Sequence, residues 1–263
     1  MQSPLIILMT ATVDPGPYAD QITRSATDVR LQDYLAAMQF WASDPDPRIH
    51  GVVLCENSGS GEDALRAEAA RLSTPTRPFE VITFQGNHKP AGVHYGYAEL
   101  GSIDHACQNS RLLGECRFFV KVTGRFRFPG LGALLDTLSD DTQVAMDCRR
   151  AYRTEGRGPL RARTQLIVFQ RAFYKHTLMG TREQMPGNFV HIEEFLPHLL
   201  LPLHRSGVVG VNLRHAVECP PEGFGAYLDR AYGRPTERIR IFVRGVVRAR
   251  TPRLRAHPGR RSP

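Results

Sequence analysis

The sequence predicts an α/β fold in which helices flank a mostly parallel, Rossmann-like sheet. Short, nearly continuous apolar runs are typical of strands buried on both faces, and they occur at residues 5–9, 49–55, 79–84 and 116–122. The segments between them are predicted as helices at residues 28–41, 62–72 and 99–113. This strand–helix alternation predicts parallel strands whose connecting helices cover both faces of the sheet.

The composition fits one large domain of ordinary hydrophobicity. The chain has 263 residues, of which 41% are hydrophobic, and no apolar run reaches the roughly 18 residues that span a bilayer. Residues 1–9 lack the basic start and small-residue cleavage site of a signal peptide, so we expect a first buried strand there. Five cysteines without CxxC spacing indicate neither a disulfide framework nor a zinc site. The simplest compartment is therefore the cytoplasm.

The positive charge of the chain is concentrated in its last residues. The formal net charge is +8, yet residues 238–263 hold nine of the 34 Lys and Arg and none of the 26 Asp and Glu. The other residues are nearly neutral, which argues against nucleic acid as a partner. We therefore predict a main domain at residues 1–237 and a basic tail at residues 238–263. Apolar residues alternate with arginines in the tail, which suits an amphipathic helix on an anionic membrane. A packed terminal helix with a frayed end is the alternative.

Polar or glycine-containing segments follow each strand predicted in the first half. Residues 10–16 follow the first strand, residues 56–59 the second, and residues 121–125 the fourth. In open α/β sheets, ligands bind outside the carboxyl ends of the strands. Lys121, Thr123, Gly124 and Arg125 would suit a phosphate group, although a basic surface loop is an alternative. The chain has no GxGxxG after its first strand and no GxxxxGK[ST], which disfavours a dinucleotide fold and a P-loop.

The second half of the chain is less regular. We predict strands at residues 143–148, 165–169 and 208–213, and helices at residues 131–138, 171–179 and from 193 onward, with a short helical piece at 227–232. The arginine-rich residues 149–163 are interpreted as a mobile loop over the site or as a solvated surface loop.

Four segments together resemble bacterial glycosyltransferases with the GT-A fold. The resemblance is greatest to polysaccharide-biosynthesis proteins of capsules and O-antigens that carry ENSG and K-[VI]-TGR segments. The segments are residues 10–15 (TATVDP), 56–59 (ENSG), 96–99 (GYAE) with Asn109-Ser110 behind it, and 121–125 (KVTGR). The resemblance covers about residues 5–200 and rests on the order and spacing of the segments, because no single one is specific.

The resemblance implies a nucleotide-sugar donor and gives each strand end a role. The donor nucleotide would be bound by Thr10, Ala11, Thr12, Asp14, Glu56, Asn57 and Ser58. The donor sugar and pyrophosphate would lie at His94, Tyr95, Gly96, Tyr97, Lys121, Thr123, Gly124 and Arg125.

The chain departs from the GT-A pattern at the usual Asp-x-Asp metal motif, where it carries Lys121 and Arg125 instead. Its literal Asp-x-Asp, residues 44–46, lies in a loop before the second strand. Charge develops on the departing diphosphate and must be stabilised by a metal ion or by fixed cations. We expect Lys121 and Arg125 to do so. A divalent ion, Mn²⁺ or Mg²⁺, stays open, with Asp147 as its candidate ligand.

An inverting sugar transfer also needs a general base for the acceptor hydroxyl. The resemblance places an acidic residue at the start of a late helix, where Glu193 and Glu194 are the candidates. A helix N-terminus favours the carboxylate form, although simple helix capping is the alternative. His94 and His191 are further residues to test.

The function expected from these observations is transfer of a sugar from a nucleotide-sugar to a growing surface glycan or a lipid-linked acceptor. The enzyme would be cytoplasmic, with peripheral contact to the inner face of the cytoplasmic membrane through its tail. One alternative is a sugar nucleotidyltransferase, although residues 10–16 lack the Lys or Arg that such enzymes usually carry there. The other is a non-catalytic nucleotide- or glycan-binding protein on a degenerate GT-A scaffold.

Overall fold

The computed structural model describes residues 1–150, 160–225 and 231–232 of the chain. Its main feature is a seven-stranded sheet beside a smaller three-stranded sheet. The strands are β1 (Leu5–Ala11), β2 (Ile49–Glu56), β3 (Phe79–Thr83), β4 (Phe118–Thr123), β5 (Phe126–Arg127), β6 (Val144–Arg150), β7 (Leu160–Gln170), β8 (Val211–Asn212), β9 (Glu222–Phe224) and β10 (Ala231–Tyr232).

The helices lie mostly between the strands, as the sequence predicts. They are α1 (Thr27–Ser43), α2 (Glu62–Leu72), α3 (Gly96–Asn109), α4 (Arg111–Glu115), α5 (Leu131–Asp136), α6 (Arg171–Phe173) and α7 (Ile192–Arg205). A π-helical turn, Tyr174–Leu178, and two 3-10 segments, Gly16–Gln21 and Thr181–Gln184, complete the set. Within these described ranges, no helix is long and apolar enough to cross a membrane.

The large sheet has the strand order β3-β2-β1-β4-β7-β6-β8. β1 to β4 are mutually parallel, β7 runs antiparallel to both of its neighbours, and β6 is parallel to β8. The chain builds outward from β1 to β3 and then returns to place β4 on the other side of β1. The strand order therefore reverses between β1 and β4, and open α/β sheets bind their ligands outside the carboxyl ends of the strands at such a point.

The alternation of side chains along β1 divides the core into two layers. Leu5, Ile7 and Met9 face a layer that also contains Tyr34 and Trp41 of α1. The intervening residues of β1 face a second layer, built with α3, the π-helical turn and α7. Both faces of the sheet are thus buried, which explains the continuous apolar runs of its central strands. The predicted fold class, α/β with helices flanking a mostly parallel sheet, is confirmed.

One predicted helix is broken. Residues 99–113 form two helices that meet at Ser110, whose Oγ accepts a hydrogen bond from Leu113 N at 3.0 Å and donates one to Glu80 Oε2 at 2.7 Å. The Glu80 carboxylate also accepts from the backbone N–H groups of Arg111 and Leu112 at 3.0 and 3.1 Å. A serine and a carboxylate from β3 therefore cap a new helix, which a single-helix pattern does not reveal.

Three other expectations need correction or lie outside the described residues. The predicted loop at residues 149–163 is partly a hairpin, because β6 continues to Arg150 and β7 begins at Leu160; residues 151–159 are outside the described part. The predicted helical piece at 227–232 is wrong for Ala231 and Tyr232, which pair with β9. The predicted tail at residues 238–263 lies entirely outside the described residues.

The β1–β4 junction tolerates no side chain at position 124. A Cβ on Gly124 would lie 2.8 Å from Thr10 O and 3.1 Å from the ring of Tyr34. We predict that Gly124→Ala lowers the free energy of unfolding in urea by about 1–3 kcal/mol, because two packed elements must separate. Gly114→Ala is the control, since its Cβ would meet nothing within 4 Å. That substitution should raise helix stability by up to about 1 kcal/mol. Equal stabilities for the two variants would contradict the prediction.

Candidate functional site

The predicted strand-end segments converge at the reversal point of the sheet. β1 ends at the buried Ala11 and β4 ends at Thr123, and the two strands are held in register as Gly124 N donates to Thr10 O at 2.9 Å. β2 ends beside β1 at Glu56. The structure therefore brings three of the resembling segments to one edge of the sheet, where α/β proteins bind their ligands.

Lys121 is completely buried at this edge and all its hydrogen-bonding capacity is used. Its Nζ forms an ion pair with Glu99 of α3 and donates to Thr123 Oγ1 at 3.2 Å and to Thr164 O at 2.7 Å. Glu99 also accepts a hydrogen bond from Thr123 Oγ1 at 3.2 Å. The cation is neutralised within the chain, so a direct contact with a diphosphate stays a prediction for Lys121. Glu99 belongs to the GYAE segment, but nothing in the sequence pattern indicates that it pairs with Lys121.

Arg125 lies on the opposite face of the sheet, together with a second arginine that the sequence analysis missed. Arg125 donates to Tyr34 Oη at 2.9 Å, and its buried Nε has no hydrogen-bond partner in the described part of the chain. Arg30 donates through Nε to Thr12 O at 2.8 Å. Burial lowers the pKa of Arg30, and the nearby Arg125 lowers it further. Within the described residues neither guanidinium has a carboxylate as a hydrogen-bond partner, so positive charge accumulates beneath the loop after β1.

Glu56 organises the loop after β2 from inside. Its carboxylate is fully buried and accepts hydrogen bonds from the Ser58 hydroxyl and from four backbone N–H groups, those of Val13, Ser58, Gly59 and Ser60. Such a carboxylate has little accepting capacity left for a ribose. The direct role of Glu56 in nucleotide binding stays a prediction, and its observed role is to fix two loops together.

The neighbouring predicted residues are also cross-linked. Asn57 Oδ1 accepts from Thr12 Oγ1 at 2.7 Å, while its Nδ2 donates to Ser102 Oγ at 3.1 Å. Asp14 accepts from Gly16 N at 2.8 Å, which is the turn that the Asp-Pro-Gly sequence indicates. The strand-end loops are therefore rigid and preorganised.

His94 and Glu193 form a second centre at this edge of the sheet. A ring nitrogen of His94, a ring nitrogen of His191 and a carboxylate oxygen of Glu193 lie within 4.8 Å of one another. The His94 ring contacts the rings of His191 and Tyr95 at centroid distances of 4.1 and 3.8 Å. Burial, reinforced by His191, lowers the pKa of His94 to about 4. His94 is thus a neutral imidazole at physiological pH.

Glu193 carries a carboxylate oxygen that has no hydrogen-bond partner among the described residues. The side chain is 27% exposed as a whole, but Oε2 itself is buried, and it lies 3.9 Å from His191 Nδ1, beyond hydrogen-bond distance. Burial raises the pKa of Glu193 and Glu99 raises it further, whereas a hydrogen bond from the backbone N–H of Glu193 itself, His191 and Lys121 act in the opposite direction. The raised pKa makes Glu193 a stronger base than an ordinary carboxylate.

Gly96 explains why the two histidines and Glu193 meet. A Cβ at position 96 would lie 2.5 Å from Cβ of Ile192. The missing side chain therefore lets the first turn of α3 approach the first turn of α7. His94 lies two residues before α3, and Glu193 lies on the first turn of α7.

The side chains of two predicted site residues, Tyr97 and Glu194, are bound to other side chains of the protein. Tyr97 donates its hydroxyl to Glu183 at 2.8 Å, and burial raises the pKa of its phenol. Glu194 forms an ion pair with Arg161 of β7. The structure thus separates the two candidate bases, because Glu193 adjoins the Lys121–Glu99 pair while Glu194 binds a surface arginine.

Asp147 lies in a buried ion-pair cluster and fits a metal ion poorly. Its Oδ2 accepts from Arg149 at 2.7 Å and lies 4.0 Å from a nitrogen of Arg163. The same arginines lie 3.2 and 3.3 Å from Glu218, which the sequence analysis did not identify. A divalent cation at Asp147 would have to approach both guanidinium groups.

Comparisons with known proteins leave the chain without an assigned family. No family model and no curated protein matches it. Similar solved structures include a cytidylyltransferase from Leptospira borgpetersenii, which is 12% identical. The match covers 75% of this chain and 71% of that chain, with a TM-score of 0.43. A putative nucleotide-diphospho-sugar transferase from Desulfovibrio desulfuricans is 15% identical, with 78% of this chain and 77% of that chain covered and a TM-score of 0.41. A 4-diphosphocytidyl-2C-methyl-D-erythritol synthase is 10% identical, with 95% of this chain and 98% of that chain covered and a TM-score of 0.43. Similarities with TM-scores below 0.5 carry no argument about what this chain binds or does.

The Lys121–Glu99 pair should respond unequally to loss of its two members. Lys121 is fully buried, whereas the Glu99 side chain is 19% exposed. We predict that Glu99→Gln, which leaves a buried unpaired cation, costs about 3–5 kcal/mol. Lys121→Met should cost under about 1.5 kcal/mol, because Met fills a similar volume and Glu99 can rehydrate. Urea unfolding measures both variants, with Arg66→Met at the exposed Arg66–Glu62 pair as the neutral control. A larger cost for Lys121→Met would contradict the asymmetry.

At pH values above the ordinary pKa of a glutamate, the Glu193 side chain should destabilise the free protein. Because its pKa in the folded state is raised, ionisation costs stability as the pH rises through that folded value. We predict that Glu193→Gln has a higher Tm than the parent near pH 8, and that the difference vanishes near pH 4. Calorimetry across this range tests the prediction. Glu194→Gln, which loses the ion pair with Arg161, should show no such gain; a gain in both variants would exclude burial of Glu193 as the cause.

Proposed function

We propose that this chain is a glycosyltransferase that moves a sugar from a nucleotide-sugar donor to a hydroxyl of a surface glycan or a lipid-linked acceptor. The observation that carries the proposal is the position of Glu193. Its buried Oε2, which has no hydrogen-bond partner among the described residues, adjoins the polar residues at the reversal point of the sheet, where ligands bind in folds of this class.

The donor would lie across the loops after β1 and β2. Their cross-linking by Glu56 and Asn57 supports a preorganised binding surface, which lowers the entropic cost of binding. Arg125 and Arg30 supply positive charge under the first loop, and Arg125 Nε is unused. These cations are better candidates for the diphosphate than Lys121, whose charge Glu99 neutralises.

Glu193 would accept the proton of the acceptor hydroxyl. A base acts best when its pKa approaches the working pH, and burial moves the pKa of Glu193 in that direction. The acid limb of the pH profile should therefore lie above the ordinary pKa of a glutamate. Glu194, paired with Arg161, has no part in this step.

A sugar nucleotidyltransferase is a second candidate, and one observation favours it. The loop at residues 10–16 has no Lys or Arg of its own, but Arg30 reaches it from α1 and donates to Thr12 O. The structure thus supplies from a helix some of the positive charge that the loop lacks. The released product separates the two candidates, because a nucleotidyltransferase releases pyrophosphate and a glycosyltransferase releases a nucleoside phosphate.

Substitution of Glu193 should abolish most turnover without affecting donor binding. The purified chain would be incubated with UDP-, GDP-, dTDP- and CMP-sugars, with Mn²⁺, with Mg²⁺ or with EDTA, and nucleotide release measured. We predict that Glu193→Gln lowers kcat by about 10²–10⁴-fold while the Kd of the donor stays constant. Glu194→Gln is the matched control and should remain active.

Two results would overturn the proposed function. One is full activity of Glu193→Gln, which would remove the assigned base. The other is the absence of both turnover and thermal stabilisation with every nucleotide-sugar, which would favour a non-catalytic protein or a different ligand class.

A further inference from the structure

Two buried polar atoms near the starts of α3 and α7 have no hydrogen-bond partner among the residues that the structure describes. His94 is only 5% exposed, yet none of these residues bonds its Nε2 or Oε2 of Glu193. Buried polar atoms without partners are costly, and they are expected mainly where a ligand or water completes the structure. The two residues belong to one cluster, in which a ring nitrogen of His94 and a carboxylate oxygen of Glu193 lie within 4.8 Å of each other, and one hydroxyl oxygen can bridge a spacing of that size.

The backbone fixes which of the two atoms carries a proton. Gly96 N–H donates to His94 Nδ1 at 3.1 Å, so Nδ1 must present its lone pair. A neutral imidazole has one protonated nitrogen, which places the proton of His94 on Nε2. The site therefore contains one unused donor, Nε2–H, and one unused acceptor, Oε2 of Glu193.

We propose that His94 Nε2–H and Glu193 Oε2 together bind one hydroxyl group, which donates to Glu193 and accepts from His94. This inference rests on the proposed function, in which that group is the reacting hydroxyl of the acceptor. Water is the equivalent hydroxyl group when no acceptor is bound. His94 is then a catalytic residue that holds the nucleophilic oxygen, beside the base.

A hydroxyl fits the pair better than the other small ligands. An ammonium group would satisfy only Glu193, and a carboxylate would satisfy only His94. A metal ion needs a lone pair from the imidazole, but Nε2 carries the proton. Moving that proton to Nδ1 would direct it at the N–H of Gly96. The three-residue cluster with His191 therefore suits a hydroxyl rather than a divalent cation.

The neighbouring rings fix the orientation of His94. Tyr95 and His191 both contact its ring, and both are substantially exposed, at 40% for Tyr95 and 46% for the His191 side chain. The His94–Glu193 pair thus lies directly behind two aromatic rings that face solvent.

The chemical step balances without any further reactant. The hydroxyl oxygen forms a bond to the anomeric carbon of the donor as its proton passes to Oε2 of Glu193. The bond from that carbon to the nucleoside phosphate breaks, and the leaving phosphate keeps the electron pair. His94 retains its proton throughout and stabilises the negative charge that develops on the attacking oxygen.

Two substitutions at His94 separate hydrogen bonding from ring packing. His94→Phe keeps an aromatic ring but removes the donor, whereas His94→Gln retains an N–H donor. With a nucleotide-sugar as substrate and water as acceptor, we predict that His94→Phe lowers kcat about 10- to 100-fold at an unchanged donor KM, and that His94→Gln is less impaired. His198→Gln, on the exposed side of α7, is the matched control. An undiminished kcat for folded His94→Phe would overturn the proposal.

A spectroscopic experiment tests the pair independently of turnover. In ¹⁵N-histidine NMR spectra of the full chain, His94 should be neutral between pH 6 and 8, with the proton on Nε2. Addition of glycerol as a simple hydroxyl probe should shift the Nε2–H resonance in the parent but not in Glu193→Gln. A proton on Nδ1, or no shift with glycerol in the parent, would overturn the hydroxyl site even if the protein turns over nucleotide-sugars.

Calorimetric titration with Zn²⁺ and with Mn²⁺ alone tests the rival ligand. We expect no one-site binding of either ion at His94. Stoichiometric binding that is lost in both His94→Phe and Glu193→Gln would assign the cluster to a metal and overturn the hydroxyl site. If the NMR results hold but no nucleotide-sugar is turned over, the proposed function fails and the hydroxyl site stands.

Discussion

The ion pair between Lys121 and Glu99 is the constraint on which this edge of the sheet depends. A fully buried ammonium group is tolerated only when it is paired and hydrogen-bonded, and Lys121 meets this condition through α3, β4 and β7 at once. The pair therefore fixes the distance between the central strand and two other elements. α3 in turn begins at Gly96, whose close contact with Ile192 sets the position of α7. The place of Glu193 follows from this chain of contacts.

Satisfied and unsatisfied polar groups divide the residues of this edge into two kinds. Glu56 and Asn57 have used their hydrogen-bonding capacity on neighbouring loops, so their contribution is rigidity. Among the described residues, His94, Arg125 and Glu193 each retain a buried atom without a hydrogen-bond partner, as do Trp41 and Thr142. A folded protein keeps such atoms at a cost in stability, and functional sites are where that cost is commonly accepted. The proposed site therefore rests on the residue types and positions of His94, Arg125 and Glu193 together with their unsatisfied atoms.

The sequence predicts the central part of the fold well because the buried strands carry continuous apolar runs. The bounds of α2 agree with the prediction, and β1, β2 and β4 differ from it by a few residues. The helix break at Ser110 could not be predicted, since it depends on a carboxylate from the distant Glu80. Glu193 lies at the start of a helix, as the sequence predicts, while its role as a base stays a prediction. Lys121 could not be recognised as neutralised, because its partner lies 22 residues earlier along the chain. Arg30 was missed because a helical pattern does not show that its guanidinium folds back to Thr12.

At the β1–β4 edge, cationic side chains lie on one face of the sheet and the proposed base lies on the other. Arg30 and Arg125 lie on the face covered by α1, through their contacts with Tyr34, while Glu193 and His94 lie on the face covered by α3 and α7. A nucleotide-sugar is anionic at its diphosphate and reacts at a carbon one bond away, so it matches an edge with cations on one face and a base on the other. Lys121 lies between the cations and the base, and the Glu99 carboxylate neutralises its charge. It would otherwise hold Glu193 more firmly in its ionised form and lower the pKa that a base needs. The Glu99 carboxylate therefore offsets the effect of Lys121 on the pKa of Glu193.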